Sequence, residues 1–473
     1  MNLHQTARHG RGALLSVMLL ASACAAVPHL GPKPMPHAAA DYASSTSLAG
    51  TSAEWPGEGW WKRYGDTQLN QLISEGLAGS PNLAAAGARF RRAQGLAQAA
   101  GARLLPTIDA GASLSELNPS NNFGVPLWSG FKEMGTAGVG LNFDLDLWGK
   151  NRAALRAAKK DADAARYEAQ EARLALTTGI ASTYADLSAL YAQRDSLESA
   201  LDIRAQSLTL VKQRVSAGLD NDSALRLAEA RVPQTKADLA ATDEAISLTK
   251  HALAALVGQG PDRALTIERP APGTLEAQGL PANASIDLVG RRPDIAAARV
   301  RVEAAAERIK EARAAFYPNV SLSALAGISS LGMSSLFHAG SGFANIMPAV
   351  SLPLFHGGAL QGQYRGRRGD YDESVAMYDG QVLQALRETA DAVASQKALT
   401  DRLAQSHAAL ASYEQALTLA QLRYKHGLST YLDVLTAQES VVTARLAVSQ
   451  LETRAFTLNV QLVRALGGGF AAA

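Results

Sequence analysis

The chain has 473 residues and a formal net charge of +2, which excludes nucleic acid or any other strong polyanion as its main partner. Hydrophobic residues make up 47% of it but aromatic residues only 6%, a composition of long Ala/Leu-rich helices rather than of a thick aromatic core. A single cysteine, Cys24, excludes an internal disulfide.

Arg8 and Arg11 precede an apolar run from Ala13 to Ala23. This pattern reads as a secretory signal peptide over 1–23, too short to cross a bilayer as a helix. "LASAC" (20–24) resembles the bacterial lipoprotein box, with Ala21 where that box prefers Leu. The resemblance makes Cys24 the lipidated first residue, carrying diacylglycerol and an acyl chain such as palmitate. Simple cleavage after Ala21-Ser22-Ala23 is the alternative. Ala25, in place of Asp, favours outer-membrane sorting by the same resemblance. Residues 24–54, rich in Pro, Ala, Ser and His, read as a lipid-anchored tether.

Helical periodicity begins at Leu69, Leu72, Ile73 and Leu77, and a second helix from about Asn82 stops before Pro106. The period then changes to two. Ile108, Ala110, Ala112 and Leu114 alternate with polar or small residues, which predicts a strand over 107–116. The alternation from Ala137 to Leu147 predicts a second over 135–147. A polar loop separates them. A long hairpin, 149–257, follows, with its tip at Gly218 and Pro233 expected to kink the return helix. After a linker with short equatorial elements at 259–291, the plan repeats. Strands are expected at 318–328 and 345–354, then a long hairpin at 357–466 with its tip at Gly427, then a C-terminal tail at 468–473. Pro348 and Pro353 fit poorly in a central strand.

The repetition is nearly free of gaps. Arg214 and Arg423, Gly218 and Gly427, and Gly258 and Gly467 all lie 209 positions apart, and Pro106 and Pro318 lie 212 apart. The chain is therefore two copies, 55–258 and 292–467, of one unit of roughly two hundred residues. That period is far beyond solenoid repeats. Helices of about 65 residues, roughly 100 Å long, require a continuous coiled-coil partner. Each Gly suits the left-handed turn that sends a long helix back.

Exported alternating strands without a membrane-spanning helix suggest a β-barrel, because backbone polar groups in lipid must pair internally. Four strands cannot close one, so several chains must share it. The competing arrangement is a soluble sheet buried against helices.

Taken together, "WWKRYGD" (60–66), "SPNLAAA" (80–86), "FDLDLWGKNR" (143–152), "RRPDIAAA" (291–298), "FYPNVSLSALAG" (316–327), "VSLPLFHGG" (350–358) and the two Arg-x-x-x-Gly-Leu tips resemble TolC-type outer-membrane factors. The likeness is to their NodT-like lipoprotein branch, which serves resistance–nodulation–division efflux pumps, and it spans nearly all of 55–467. It implies a mixed α and β membrane protein: a homotrimer whose shared twelve-stranded β-barrel sits in the outer membrane of a Gram-negative bacterium, joined to a periplasmic α-helical coiled-coil barrel. It implies a passive exit channel for drugs and toxic organics, docked to a periplasmic adaptor and an inner-membrane transporter, with no cofactor beyond the lipid. By the same resemblance Arg214, Gly218, Leu219, Arg423, Gly427, Leu428 and Ser429 contact the adaptor at the hairpin tips, and Tyr424 and Asp433 belong to the periplasmic gate. Ser429, Thr436 and Ala224 depart from the gate of the best-known branch. The gating network therefore differs here, although Asp433 in threefold array would favour cations.

Nothing in the chain supports an enzyme. It contains no Walker A loop, HExxH, G-x-S-x-G or Cys cluster. Asp144 and Asp146, two apart, are expected on one strand face as a rim feature. A lipid-anchored periplasmic coiled-coil adaptor or scaffold remains the other reading, although it has no use for four alternating strands.

Overall fold

The computed structural model describes residues 27–49, 52–118, 130–271, 280–281 and 284–471. The expected signal peptide, Cys24 and most of the first inter-strand loop lie outside these. Eight α-helices are described: α1 (Thr67–Gly79), α2 (Pro81–Ala102), α3 (Lys150–Ser216), α4 (Asp222–Leu256), α5 (Ala284–Arg291), α6 (Pro293–Ala314), α7 (Ala359–Lys425) and α8 (Tyr431–Ala465). The strands are β1 (Ser52–Ala53), β2 (Thr107–Leu117), β3 (Lys132–Asp144), β4 (Leu280–Pro281), β5 (Asn319–Leu331) and β6 (Gly342–Ser351). No described helix is long and apolar enough to cross a membrane. The chain divides into two compact units.

The first unit contains Arg89–Ala165, Ala298–Tyr378 and the described residues up to Pro36. At its centre is a four-stranded antiparallel sheet in the order β2-β3-β5-β6. The register sets side chains of one kind in rows. Ile108, Leu141, Ala324 and Ile346 are opposite one another, as are Ala110, Val139, Ala326 and Ala344. The other face carries Asn142 and Ser323, hydrogen-bonded at 3.0 Å, and the facing hydroxyls of Thr136 and Ser329. One face is thus apolar and the other polar, as period two demands. Pro348 pairs with Leu322 in β6, the edge strand of the chain's own sheet.

Strand ends differ from the sequence expectation for a local reason. β3 ends at Asp144, not 147. Asp146 adopts φ +46°, and its carboxylate accepts the backbone N–H groups of Asn151 at 2.8 Å and Arg152 at 3.0 Å. It satisfies the free amides that begin α3. Asp146 has therefore left the strand, while Asp144 accepts from the Asn319 side chain at 3.2 Å, so the two acids do not form a rim pair. Likewise β6 stops at Ser351, before Pro353, whereas β5 runs on to Leu331.

Below the strands, α3 and α6 are joined by Arg156–Glu307 (2.7 Å), Lys160–Glu303 (2.6 Å) and Arg308–Asp161. The tether is ordered where it is described. Arg368 on α7 donates to the carbonyls of Gly31 (3.3 Å) and Pro32, and the Tyr371 hydroxyl donates to Pro34 O at 3.0 Å.

The second unit contains His37–Ala88, Arg166–Ala297 and Asp379–Ala473. Its main core gathers Tyr64, Leu69, Leu72, Ile73, Ile180, Tyr184, Leu253, Phe456 and Val460 around α1, α3, α4 and α8. Each fully buried aliphatic or aromatic side chain there contributes about 1.5–3 kcal/mol. Several polar groups in this core are paired. Asp66 caps α1 through Leu69 N (3.0 Å) and also accepts the Tyr184 hydroxyl (2.7 Å), and the Tyr64 hydroxyl donates to Asn459 (2.8 Å). α4 continues through Pro233. The internal duplication recurs as a contact. A Cβ at Gly258 (φ +80°) would lie 2.2 Å from Gly79 O, and one at Gly467 (φ +85°) would lie 1.9 Å from Arg291 O. Gly79 and Arg291 are themselves 212 positions apart, the second offset of the repeat.

Candidate functional site: the hairpin tips

The α3–α4 and α7–α8 turns are built alike. Gly218 has φ +69° and Gly427 has φ +76°. Leu219 N donates to Arg214 O, and Leu428 N to Arg423 O, both at 2.8 Å, while the two glycine amides each return to the carbonyl three residues back at 3.0 Å. Both are Schellman closures, which need a residue at ease in the left-handed region. They expose Leu219 and Leu428, at 64% and 69%, in the position where a helix-end apolar residue would otherwise be covered.

The two tip arginines then diverge. Arg423 is exposed and serves through its carbonyl. Arg214 folds inward, with its guanidinium 4.4 Å from the centroid of the Tyr424 ring, its Nη2 donating to Leu219 O at 3.2 Å and its Nε 3.7 Å from the Asp220 carboxylate. Tyr424 is 1% exposed and donates its hydroxyl to Asp220. Burial, and then the hydrogen-bonded Asp220 carboxylate, push the Tyr424 phenol well up, so it keeps its proton and remains a donor. Val211, Ala224, Leu417, Tyr431, Val434 and Leu435 pack around it. Asp220 was not among the residues singled out from sequence, although it directly follows the first Gly-Leu and stands at the repeat position of Ser429.

Asp433 lies exposed in the first turn of α8. Its carboxylate accepts from Thr430 N (2.9 Å) and from the Thr430 hydroxyl (3.0 Å), holding the first turn of α8. Ser429 Oγ is buried without a hydrogen-bond partner. Further up the hairpins, Arg204 on α3, 7% exposed, meets Glu439 on α8 at 2.8 Å and the Thr235 hydroxyl on α4, while Arg231 meets the same Glu439 at 3.4 Å. Two clasps, Tyr424–Asp220 and Arg204–Glu439, therefore tie one hairpin to the other. No cluster of acids, histidine or cysteine that could hold a metal ion occurs among the described residues.

The family profile described as outer membrane efflux protein matches residues 72–259 and 287–468, one match in each repeat. The chain belongs to the outer membrane efflux protein family. The multidrug resistance outer membrane protein MdtP of Escherichia coli O6:H1 is 31% identical over 440 residues, covering 89% of this chain and 88% of MdtP. The cation efflux system protein CusC of Escherichia coli K12 is 28% identical, covering 96% and 98%. The crystal structure of the outer membrane protein VceC from Vibrio cholerae superposes with a TM-score of 0.84 at 43% identity, covering 88% of this chain and all of that one. Members of this family are outer-membrane channels rather than enzymes, and the chain is an outer-membrane efflux channel. Its sheet has two open edges, β2 and β6, and four strands cannot close a barrel alone, so further strands must complete it.

Proposed function

We propose that this channel is the passive exit duct of a tripartite pump, receiving small molecules from an inner-membrane resistance–nodulation–division transporter through a periplasmic adaptor. The observation that carries this reading is the matched pair of tips, each presenting an exposed leucine on a rigid glycine turn. Two such tips per chain give six in a trimer, suited to the helical-hairpin ends of an adaptor ring. Gly218, Leu219, Gly427 and Leu428 form the contact, with Arg423 and Ser429 beside it. Arg214 acts from within, through Tyr424. The Tyr424–Asp220 and Arg204–Glu439 clasps hold the mouth narrow until the adaptor engages, and Asp433 acts by fixing the start of α8. MdtP supports multidrug cargo and CusC supports cations. Lipidation at Cys24 is part of the same reading and fits the order of the tether, whose Gly31 and Pro32 are held on α7 close to where α7 leaves the sheet.

The test is a Leu219→Glu/Leu428→Glu double variant. Trimers should form and reach the outer membrane at wild-type amounts, while drug export in cells and adaptor crosslinking are lost. Export at the wild-type level from that variant would remove the tips from the docking surface.

A further inference from the structure

The charge of this nearly neutral chain is unevenly placed. The helical segments of the sheet-bearing unit (89–103, 150–165, 298–314 and 359–378) hold seventeen lysines and arginines against eight acids, whereas acids outnumber cations in the rest of the chain. Seven of those cations (Arg152, Arg156, Lys160, Arg308, Lys310, Arg367 and Arg368) have ion-pair partners. The four nearest the strands do not.

Each of the four helices that meet the sheet carries, at or next to its sheet end, an exposed cation outside these ion pairs. Arg103 directly follows α2, four residues before β2. Lys150 is the first residue of α3, six after β3. Arg313 is the next-to-last residue of α6, six before β5. Arg365 lies in the second turn of α7, beyond β6. None has an ion-pair partner among the described residues. Beside Arg313 the tether adds Lys33, 5.5 Å from the Tyr371 ring centroid, and Arg368, Lys310 and Arg313 crowd it enough to lower its pKa once burial has begun to do so. Asp146, Glu311 and Asp370 lie at the same level, but unpaired cations cost electrostatic energy that an external anion offsets.

The same level of the molecule is amphipathic. Trp148 stacks on Tyr317 (5.0 Å, 22°), donates Nε1–H to Pro318 O at 2.7 Å and remains half exposed, and Phe355 is exposed beside β6. Exposed Leu145, Leu147, Leu352 and Leu354 continue the apolar face of the sheet to this point. Aromatic rings with one polar atom, followed by lysine and arginine, mark the boundary between acyl chains and headgroups.

We propose that Arg103, Lys150, Arg313 and Arg365 form a cationic collar that binds the phosphates of anionic phospholipids in the leaflet facing the helices. This rests on the outer-membrane channel reading. A trimer would carry twelve such cations. Each near an anionic surface favours the charged lipid by about fivefold, and the attraction is screened within about 10 Å at 0.1 M salt.

The test is native mass spectrometry of the full-length trimer released from bilayers of equimolar phosphatidylglycerol and phosphatidylethanolamine. The wild type should retain phosphatidylglycerol in several-fold excess. Arg103→Gln/Lys150→Gln/Arg313→Gln/Arg365→Gln should lose that excess, and the single Arg313→Gln and Arg365→Gln variants should each lower it in part. An unchanged excess in the fourfold variant overturns the proposal. So does equal displacement by millimolar glycerol phosphate, which would make this a free-anion site, and so does a variant monomeric in every lipid, which would mean that the cations pair neighbouring copies. Conductance from the same preparation separates the two readings. A conducting wild type without lipid preference refutes only the collar, whereas a wild type that never conducts refutes the channel.

Discussion

Removing one oxygen atom from Tyr424 should open the mouth. Tyr424→Phe keeps the ring, its packing against Tyr431 at 5.8 Å between centroids, and the Arg214 guanidinium above it. What is lost is a hydrogen bond to a carboxylate at a residue only 1% exposed. Such a bond to a charged acceptor is worth about 1.5–3 kcal/mol, and little of that is recovered, because the Asn221 N–H (2.9 Å) is on Asp220 Oδ1 while Oδ2 keeps only the 3.7 Å approach of Arg214. A loss of about 2 kcal/mol shifts a two-state equilibrium by roughly thirtyfold, and it acts once in each protomer. Single-channel recording in planar bilayers, at one pH and salt, should show higher conductance or open occupancy for Tyr424→Phe than for wild type. Asp220→Asn should produce the same change, and the double variant little more than either alone, because both remove one interaction. Trimers of normal stability with wild-type conductance in all three variants would refute the reasoning.

Three further outcomes follow from the second unit. Burial first, and then the acids Asp294 and Glu388, raise Glu171 to about 7 against the pull of Arg292 and Arg464. Between its unfolded value near 4.5 and about 7 the folded state holds the extra proton, so stability falls as pH rises, by up to about 3 kcal/mol per chain. Thermal unfolding in detergent at pH 5 and pH 8 should show that slope, and Glu171→Gln should flatten it by stabilising the pH 8 form. Gly467→Ala places a Cβ 1.9 Å from Arg291 O and should cost roughly 4 kcal/mol or more in denaturant unfolding. Gly218→Ala meets nothing within 4 Å and carries only the left-handed penalty of about 1–2 kcal/mol.

The architecture was legible because it is written in periods and repeats. Alternation over Ile108–Leu114 and Val320–Ile328 gave strands, and the 209-residue offset gave paired hairpins whose tip glycines adopt the same conformation. Boundaries were less legible, since a side chain can end a strand by capping the next helix, as Asp146 does: β3 stops at Asp144, three residues before the alternation of apolar residues fades at Leu147. At the tips the phrase Arg-x-x-x-Gly-Leu was readable, but the inward turn of Arg214 and the outward one of Arg423 were not. That difference depends on Tyr424 from the other hairpin, two hundred residues away. Asp220 and the Arg204–Glu439 pair escaped notice for the same reason: an exposed-looking charge on a helix gains meaning only from what packs across from it. Asp433 was found as a residue, while its capping of Thr430 depends on a turn geometry that the resemblance did not carry.

The central claim is that three copies close one barrel and form one hollow channel. Electron microscopy of protein extracted from outer membranes in detergent tests it most directly. The account predicts a threefold particle with a single central lumen, continuous from a twelve-stranded barrel into a helical tube. A monomer, or a rod that stays in solution without detergent, would contradict it.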